Sequence, residues 1–201
     1  MARTPKVKDR REKIVQAALR VFSQKGFDRA TNQDIADEAG ITPGLIYHYF
    51  KSKQDLLKAA IEGFPARKFL RSLPREMLAL PPEALLRSMA LQILDVAGDE
   101  DVVRLLRIYL PEVIHHPALS SSGSSTIQGL VQFLEKAIAA KMKRGELRRT
   151  NAGLVAQLFV GSLLDIVLRR EILREPLLLR YTQEQIVDGI VSLTLQGLLP
   201  R

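Results

Sequence analysis

The sequence has no cysteine among its 201 residues, which excludes disulfides, zinc fingers, iron–sulfur centres and thiol nucleophiles together. It has no long apolar run either. The most hydrophobic stretch, residues 153–164, ends at Asp165 and is too short to cross a bilayer, so no membrane span is expected. The basic opening MARTPKVKDRREK has no apolar segment behind it, so no secretory signal is expected, and the expected compartment is the cytoplasm. There is no convincing alternating strand and no internal repeat. A nucleophile elbow, a phosphate loop and a His-Glu-x-x-His run are all missing. The expectation is a non-enzyme with no metal and no cofactor.

What is present is ordinary for a globular chain: 46% hydrophobic and 26% charged residues, enough apolar mass for a sizeable core and too much for a disordered tail. The net charge of +8 is unevenly spread. Residues 1–53 carry 11 basic and 6 acidic side chains, and residues 54–201 carry 19 and 16. A basic end fits nucleic acid or an anionic membrane surface. It also fits a merely solubilising face.

Hydrophobic spacing is helical nearly throughout, which predicts an all-α fold. Over 10–25, Ile14, Ala17, Ala18, Val21 and Phe22 share a face, and Gly26 follows as a helix-ending glycine. A short helix over 32–39 is capped by Thr31, with Asp34 placed to close a capping box, and Gly40 stops it. Thr42 is expected to cap a second short helix over about 43–49, which starts on Pro43. Ser52 opens the next helix with Asp55 three residues on. Residues 63–82 hold Pro65, Pro74, Pro81 and Pro82, which predicts a broken helix and connector. Helices are then expected over 82–97, 100–115, 126–143, 151–173 and 183–199. Pro111 should bend or end the second of these. The Ser/Gly-rich stretch 117–125 is expected to be a mobile loop. The expected domains are 8–62, with a helix-turn-helix at about 31–50, and 63–201.

Helix 151–173 is apolar nearly all round, so it must be covered nearly all round. Small residues at Gly161, Ser162, Gly189 and Gly197 permit close helix approach. This predicts that the last two helices pair with a second copy of the chain through Leu158, Gly161, Leu164, Ile186, Ile190, Leu193 and Gly197. The competing reading makes them the central pair of a monomer.

The informative segment is TNQDIADEAGITPGLIYHYFKSKQDLL, residues 31–57: two short helices about a glycine turn, the pattern of a helix-turn-helix. Helix 43–49 is about 10 Å long and fits a major groove. Thr42, Pro43 and Gly44 are small enough for close backbone approach. Tyr47 and His48 carry donors for phosphates or base edges, and Lys51 and Lys53 lie where phosphates would pass. The helix starts at Thr31, with Gln33 beside it, and at Ser52 offer N–H groups to phosphate oxygens. Against this, Tyr47 and His48 could be core residues and Thr31 and Ser52 caps alone.

The spacing of Thr31, Asp34–Ile35–Ala36, Ala39–Gly40, Thr42, Gly44, Ile46–Tyr47–His48–Tyr49–Phe50, Lys51–Ser52–Lys53 and Leu56–Leu57 resembles the TetR/AcrR family of bacterial transcriptional regulators. The resemblance covers about residues 10–60; beyond it only helix lengths and a terminal apolar pair agree. Many members read Tyr-Tyr-His-Phe where this chain reads Tyr47-His48-Tyr49-Phe50. The family implies a homodimer on double-stranded DNA, usually a repressor, whose C-terminal helical domain binds a small-molecule effector and dimerises. Leu106, Tyr109, Phe133 and Phe159 are candidate pocket residues, and each is equally readable as core. Two other readings stay open. Glu112 and His116, one helical turn apart, could hold a metal for a hydrolase, although Pro117 ends the helix there. A sequence-indifferent binder of DNA or an anionic membrane would need only the basic charge.

Overall fold

The structure is a computed structural model and describes residues 4–63 and 75–198. Every regular element among the described residues is helical: α1 Thr4–Lys25, α2 Asn32–Ala39, α3 Pro43–Tyr49, α4 Lys53–Glu62, α5 Pro82–Gly98, α6 Glu100–His115, α7 Ser120–Lys143, α8 Ala152–Val167, α9 Pro176–Leu179 and α10 Gln183–Gln196. Short 3-10 turns occupy Arg75–Ala79 and Pro117–Leu119, and one π turn, Leu168–Ile172, continues α8. The expected connector over 63–82 falls largely on residues 64–74, outside the described residues.

The chain divides into two compact units. One comprises Met1–Phe64 with Arg104–Gly123, the other Pro65–Val103 with Ser124–Arg201. The dividing line therefore falls inside α6, which no linear reading of domain boundaries anticipates.

The first unit is built on α1. Its buried face, Ile14, Ala17, Ala18, Val21 and Phe22, joins Ile35 and Ala36 of α2, Ile46 of α3, Phe50, and Leu56, Leu57 and Ala60 of α4. Leu105, Tyr109 and Leu119 from the returning segment complete the same core. Each large aliphatic or aromatic side chain fully buried here stabilises the fold by roughly 1.5–3 kcal/mol. The Tyr109 hydroxyl donates to the Leu119 carbonyl at 3.1 Å, so a buried polar atom is satisfied.

In the second unit, α5 packs against α8 and α10. Leu85, Leu86, Met89 and Ala90 are buried on α5, Ala156, Phe159, Val160 and Leu163 on α8, and Val187 and Val191 on α10. Arg87 pairs with Asp188, and the Gln183 amide donates to Asp95 at 2.6 Å, so α5 and α10 are also tied at their polar edges. Lys141 is fully buried. Its ammonium donates to the Leu80 carbonyl and lies 3.4 Å from Glu146, which supplies the partners a buried charge requires.

Four expectations need correction. Helix α1 begins at Thr4 rather than near residue 10; its first turns are mostly polar, so hydrophobic spacing does not reveal them. The Ser/Gly-rich stretch is not a loop: α7 starts at Ser120. Its first hydroxyls donate back to carbonyls, Ser120 to Pro117 at 2.6 Å and Ser121 to Ala118 at 3.2 Å, and serine in a helix costs well under about 1 kcal/mol. Pro111 lies inside α6, which runs on to His115, so of the two effects expected of it the helix end is excluded. Finally, the continuous run Ala152–Ile172 has 21 residues and mean hydropathy 1.6, so its length alone does not exclude a membrane span. Its packing against α5 and α10 accounts for its apolar inner face.

Gly40 has φ 64°, and nothing lies within 4 Å of where a Cβ would stand. Substitution there meets a backbone penalty and no steric one. Gly40→Ala is expected to lower unfolding free energy by roughly 1–2 kcal/mol in urea titration.

Candidate nucleic-acid interface

The helix-turn-helix is assembled from its caps inward. Gly26, at φ 81°, ends α1 in the left-handed conformation that glycine tolerates. The chain then turns to Thr31, whose extended backbone caps α2. The Thr31 hydroxyl accepts from the Asp34 amide at 3.1 Å, and the Asp34 carboxylate accepts from the Thr31 amide at 2.9 Å, which closes the predicted capping box. Asp34 also pairs with Lys25 at 2.6 Å, and Arg20 pairs with Glu38 at 2.5 Å; both pairs tie α1 to α2.

After α2, Gly40 and Ile41 donate back to the Asp37 and Ala36 carbonyls at 3.2 and 3.0 Å. Ile41 is half-buried against the core. Thr42 precedes α3 in an extended conformation but makes no side-chain cap bond, which corrects its expected role. Proline at the first helical position brings no N–H of its own, and the Thr42 carbonyl accepts from Leu45 at 3.0 Å instead.

Helix α3 has only seven residues. Ile46 is buried, and Phe50 just beyond it is buried as well, with the Arg11 guanidinium 4.9 Å above its ring. Positions 44, 47 and 48 lie on one side of a helix, and all three are exposed. Tyr47 is 62% exposed. This excludes the core reading for Tyr47 and His48. The His48 ring meets Tyr49 edge-on, with centroids 5.2 Å apart. Thr42 and Lys51 are exposed and Pro43 is half-buried. A Cβ on Gly44 would meet nothing within 4 Å, so the chain itself gives no steric reason for a glycine there.

At the start of α2, Thr31 and Gln33 are exposed, and the Gln33 amide donates to Asp37 at 2.8 Å. At the start of α4, the Ser52 hydroxyl accepts from the Asp55 amide at 3.1 Å, and the Asp55 carboxylate accepts from the Lys51 amide at 3.1 Å. Lys53 is not a free cation. Its ammonium donates to the carbonyls of Phe27, Asp28 and Ala30 at 2.7, 2.9 and 2.9 Å, which uses all three of its protons.

The remaining candidates fall as follows. Leu158 and Leu193 are 66% and 74% exposed. Together with Phe159, Ile190 and Gly197 they line an open cavity of about 400 Å3 between α8 and α10. Gly161 and Leu164 are half-buried. Ile186 is only 7% exposed; it packs into its own unit's core and leaves the set of interface candidates, whereas Leu154, at 56%, joins the exposed face and was missed. Leu106 and Tyr109 belong to the first unit, and Phe133 and Phe159 to the second. Of the four only Phe159 lines this cavity. His116 lies 3.7 Å from a buried Glu112, and among the described residues no group of three ligating side chains forms around them.

The Asp34 carboxyl is held at about 2, against an ordinary 3.8, mainly by its hydrogen bond from Lys25 and then by those from Thr31. A lowered pKa in the folded state means that the stabilisation is complete above the ordinary value and is lost as pH falls through the lowered one. Wild type is expected to melt above Asp34→Asn at neutral pH. The gap should close between about pH 4 and pH 2, followed by circular dichroism at each pH.

Comparison with known proteins agrees with this geometry. Residues 14–60 match the model of the bacterial regulatory proteins of the tetR family, and residues 84–197 match the C-terminal domain of AefR-like transcriptional repressors. The regulator YerO of Bacillus subtilis is 34% identical over 102 residues, a match covering 49% of this chain but only 35% of YerO. The regulator AcrR of Shigella flexneri is 27% identical over 185 residues, covering 82% of each. Among solved structures, FadR from Bacillus subtilis in complex with stearoyl-CoA superposes with a TM-score of 0.74 at 19% identity, covering 92% of this chain and 98% of FadR; that is a likeness of fold. With an exposed recognition face on a helix-turn-helix and family matches over both its N-terminal segment and more than half its length, the chain belongs to the TetR family of bacterial regulatory proteins and is a DNA-binding transcriptional regulator.

Proposed function

We propose that the protein is a cytoplasmic, effector-released repressor that binds a palindromic operator as a homodimer. The observation that carries the DNA part is the two-sidedness of α3. Ile46 anchors it, while Gly44, Tyr47 and His48 face solvent in one stripe with Lys51 just beyond. Two such helices, about 34–36 Å apart in a dimer, would enter successive major grooves on one side of the duplex. Tyr47 and His48 reach phosphates or base edges, Lys51 meets phosphate, and Thr31, Gln33, Thr42 and Pro43 line the approach. The backbone at Gly44 comes close to the DNA.

The dimer reading rests on α8 and α10. Leu154, Leu158 and Leu193 are large, apolar and exposed, and a Cβ at Gly161 or Gly189 would meet nothing within 4 Å. An apolar face with open glycines suits close packing of the same face from a second copy, as isologous pairing requires. Effector release is supported by the match to a repressor's C-terminal domain and by a structural neighbour that holds stearoyl-CoA. The effector must bind the DNA-incompetent state more tightly. Moving the balance from 1:99 to 99:1 takes about 5.5 kcal/mol of difference.

Selection of duplexes from a random pool by the purified protein tests the reading as a whole. A palindrome with half-sites one helical turn or a multiple apart is expected, and equal binding of all sequences would reject it. Tyr47→Ala is expected to leave stability within about 0.5 kcal/mol while reducing affinity for the selected duplex. Gly44→Ala should raise helix stability by up to about 1 kcal/mol and still weaken binding in gel-shift titration. Leu158→Glu combined with Leu193→Glu should give a folded monomer in sedimentation equilibrium that no longer retards the palindrome.

A further inference from the structure

We infer that the turn joining α8 to α10, residues 168–181, is an apolar plug that fills the α8–α10 cavity of a second copy of the chain. The inference rests on the proposed homodimer and says which parts of it meet. Leu173, Leu177, Leu179 and Tyr181 are all large, apolar and exposed, and a soluble monomer seldom shows so many together. The turn that carries them is nevertheless firmly built. Arg174 sits at φ 55°, a left-handed conformation that a residue other than glycine holds only when its surroundings impose it. On either side of it, the Leu173 and Glu175 amides donate to the Leu168 and Arg169 carbonyls at 2.9 and 2.8 Å. The Arg169 guanidinium holds both oxygens of Glu175 at 2.6 and 2.7 Å. The Arg170 guanidinium donates to the Tyr181 carbonyl at 3.1 Å.

The same network decides the chemistry of the partner. Arg170 and Arg174 lie 3.3 and 3.9 Å from Glu171. Five of the six charged side chains of 168–181 are thus engaged within the turn. What the turn offers outward is apolar, which suits an apolar socket better than an anionic surface. The cavity between α8 and α10 is such a socket. Val155, Leu158, Phe159, Ile190, Leu193 and Leu198 are among the side chains that line its roughly 400 Å3. The Ser162 and Thr194 hydroxyls, also in its wall, donate to the Phe159 and Ile190 carbonyls at 2.8 and 2.7 Å.

Cavity and turn lie at opposite ends of one antiparallel helix pair. At the cavity end, the Arg148 amide, just before α8, donates to the Leu198 carbonyl, just after α10, at 2.7 Å. In an isologous pair every contact is made twice. Two helix pairs laid antiparallel set each turn on the other's cavity and fill both. Laid parallel, they set cavity on cavity, and apolar voids stay dry and forfeit the contacts of their walls. Gly189, exposed on α10 between the cavity and the turn, would meet nothing within 4 Å of a Cβ, so the two backbones can approach there.

The chain has no cysteine, so introduced thiols are the only ones present. Full-length Leu177→Cys and Leu193→Cys are prepared separately, mixed to exchange subunits and treated with a short bismaleimide. The mixture is expected to give a covalent dimer on a denaturing gel, and each variant alone to give none. Self-linking of Leu193→Cys would set the cavities face to face, and self-linking of Leu177→Cys would set turn on turn; either overturns the inference. So does a mixture of paired subunits that gives no covalent dimer. Independently, Leu177→Glu combined with Leu179→Glu is expected to keep the helical circular dichroism spectrum. It should raise the dimer dissociation constant by about a hundredfold or more in sedimentation equilibrium, as two apolar anchors are lost. If wild type pairs and this variant pairs equally well, the inference fails and the homodimer stands. If wild type sediments as a monomer, both fail. Flotation of wild type with phosphatidylglycerol vesicles, lost in this variant at unchanged pairing, would assign the turn to a membrane surface and overturn the inference.

Discussion

A helix of seven residues cannot hold itself together in water; the nucleus is too costly and the propagated bonds too few. Helix α3 exists because Ile46 and Phe50 are driven into the core formed by α1, α2 and α4. Everything else about the interface depends on that anchoring. Because two buried side chains hold the helix, its outer positions are free of any structural duty. A glycine, a tyrosine and a histidine can then stand in solvent at 44, 47 and 48. A longer, self-sufficient helix would not need the core.

Around this anchor, polar links fix angles rather than supply bulk stability. Arg20–Glu38, Lys25–Asp34 and the Thr31–Asp34 box join α1 to α2, and the Lys53 ammonium binds the preceding turn to α4. Exposed ion pairs contribute little singly. Several of them directed at one short turn still restrict the orientations that the hydrophobic core leaves open. The recognition face is thus presented by an apolar floor and oriented by a polar frame.

The second unit shows the opposite economy. Its α8 and α10 bury one side against α5 and leave Leu154, Leu158 and Leu193 in solvent. Asp165 interrupts the apolar face and pairs with Arg169, and Glu175 holds the same guanidinium through two bonds at 2.6 and 2.7 Å. These contacts lie around the π turn that ends the helical run at Ile172. Hydrophobicity alone says that such a face requires cover. Which apolar residues of the two helices point inward is decided by packing: Ile186 of α10 is buried, while Leu154 of α8 stands in solvent.

The sequence by itself determined the local elements of the reading unit: the ends of α2 and α3, the Thr31–Asp34 box, and the stops at Gly26 and Gly40. Caps, left-handed glycines and a proline at a helix start are short-range effects, so a window of a few residues contains their whole cause. Tertiary structure decided what depends on distant partners. Residues 120–125 became helix, with the Ser120 and Ser121 hydroxyls bonded to carbonyls of the turn before them, and Pro111 was carried within α6. The returning segment 104–123 joined the first unit's core, Lys141 was buried beneath Leu80, and the ammonium of Lys53 was drawn to a turn more than twenty residues earlier in the chain. A charge takes the nearest partners that geometry provides, here the three carbonyls of Phe27, Asp28 and Ala30, and sequence order does not say which those are.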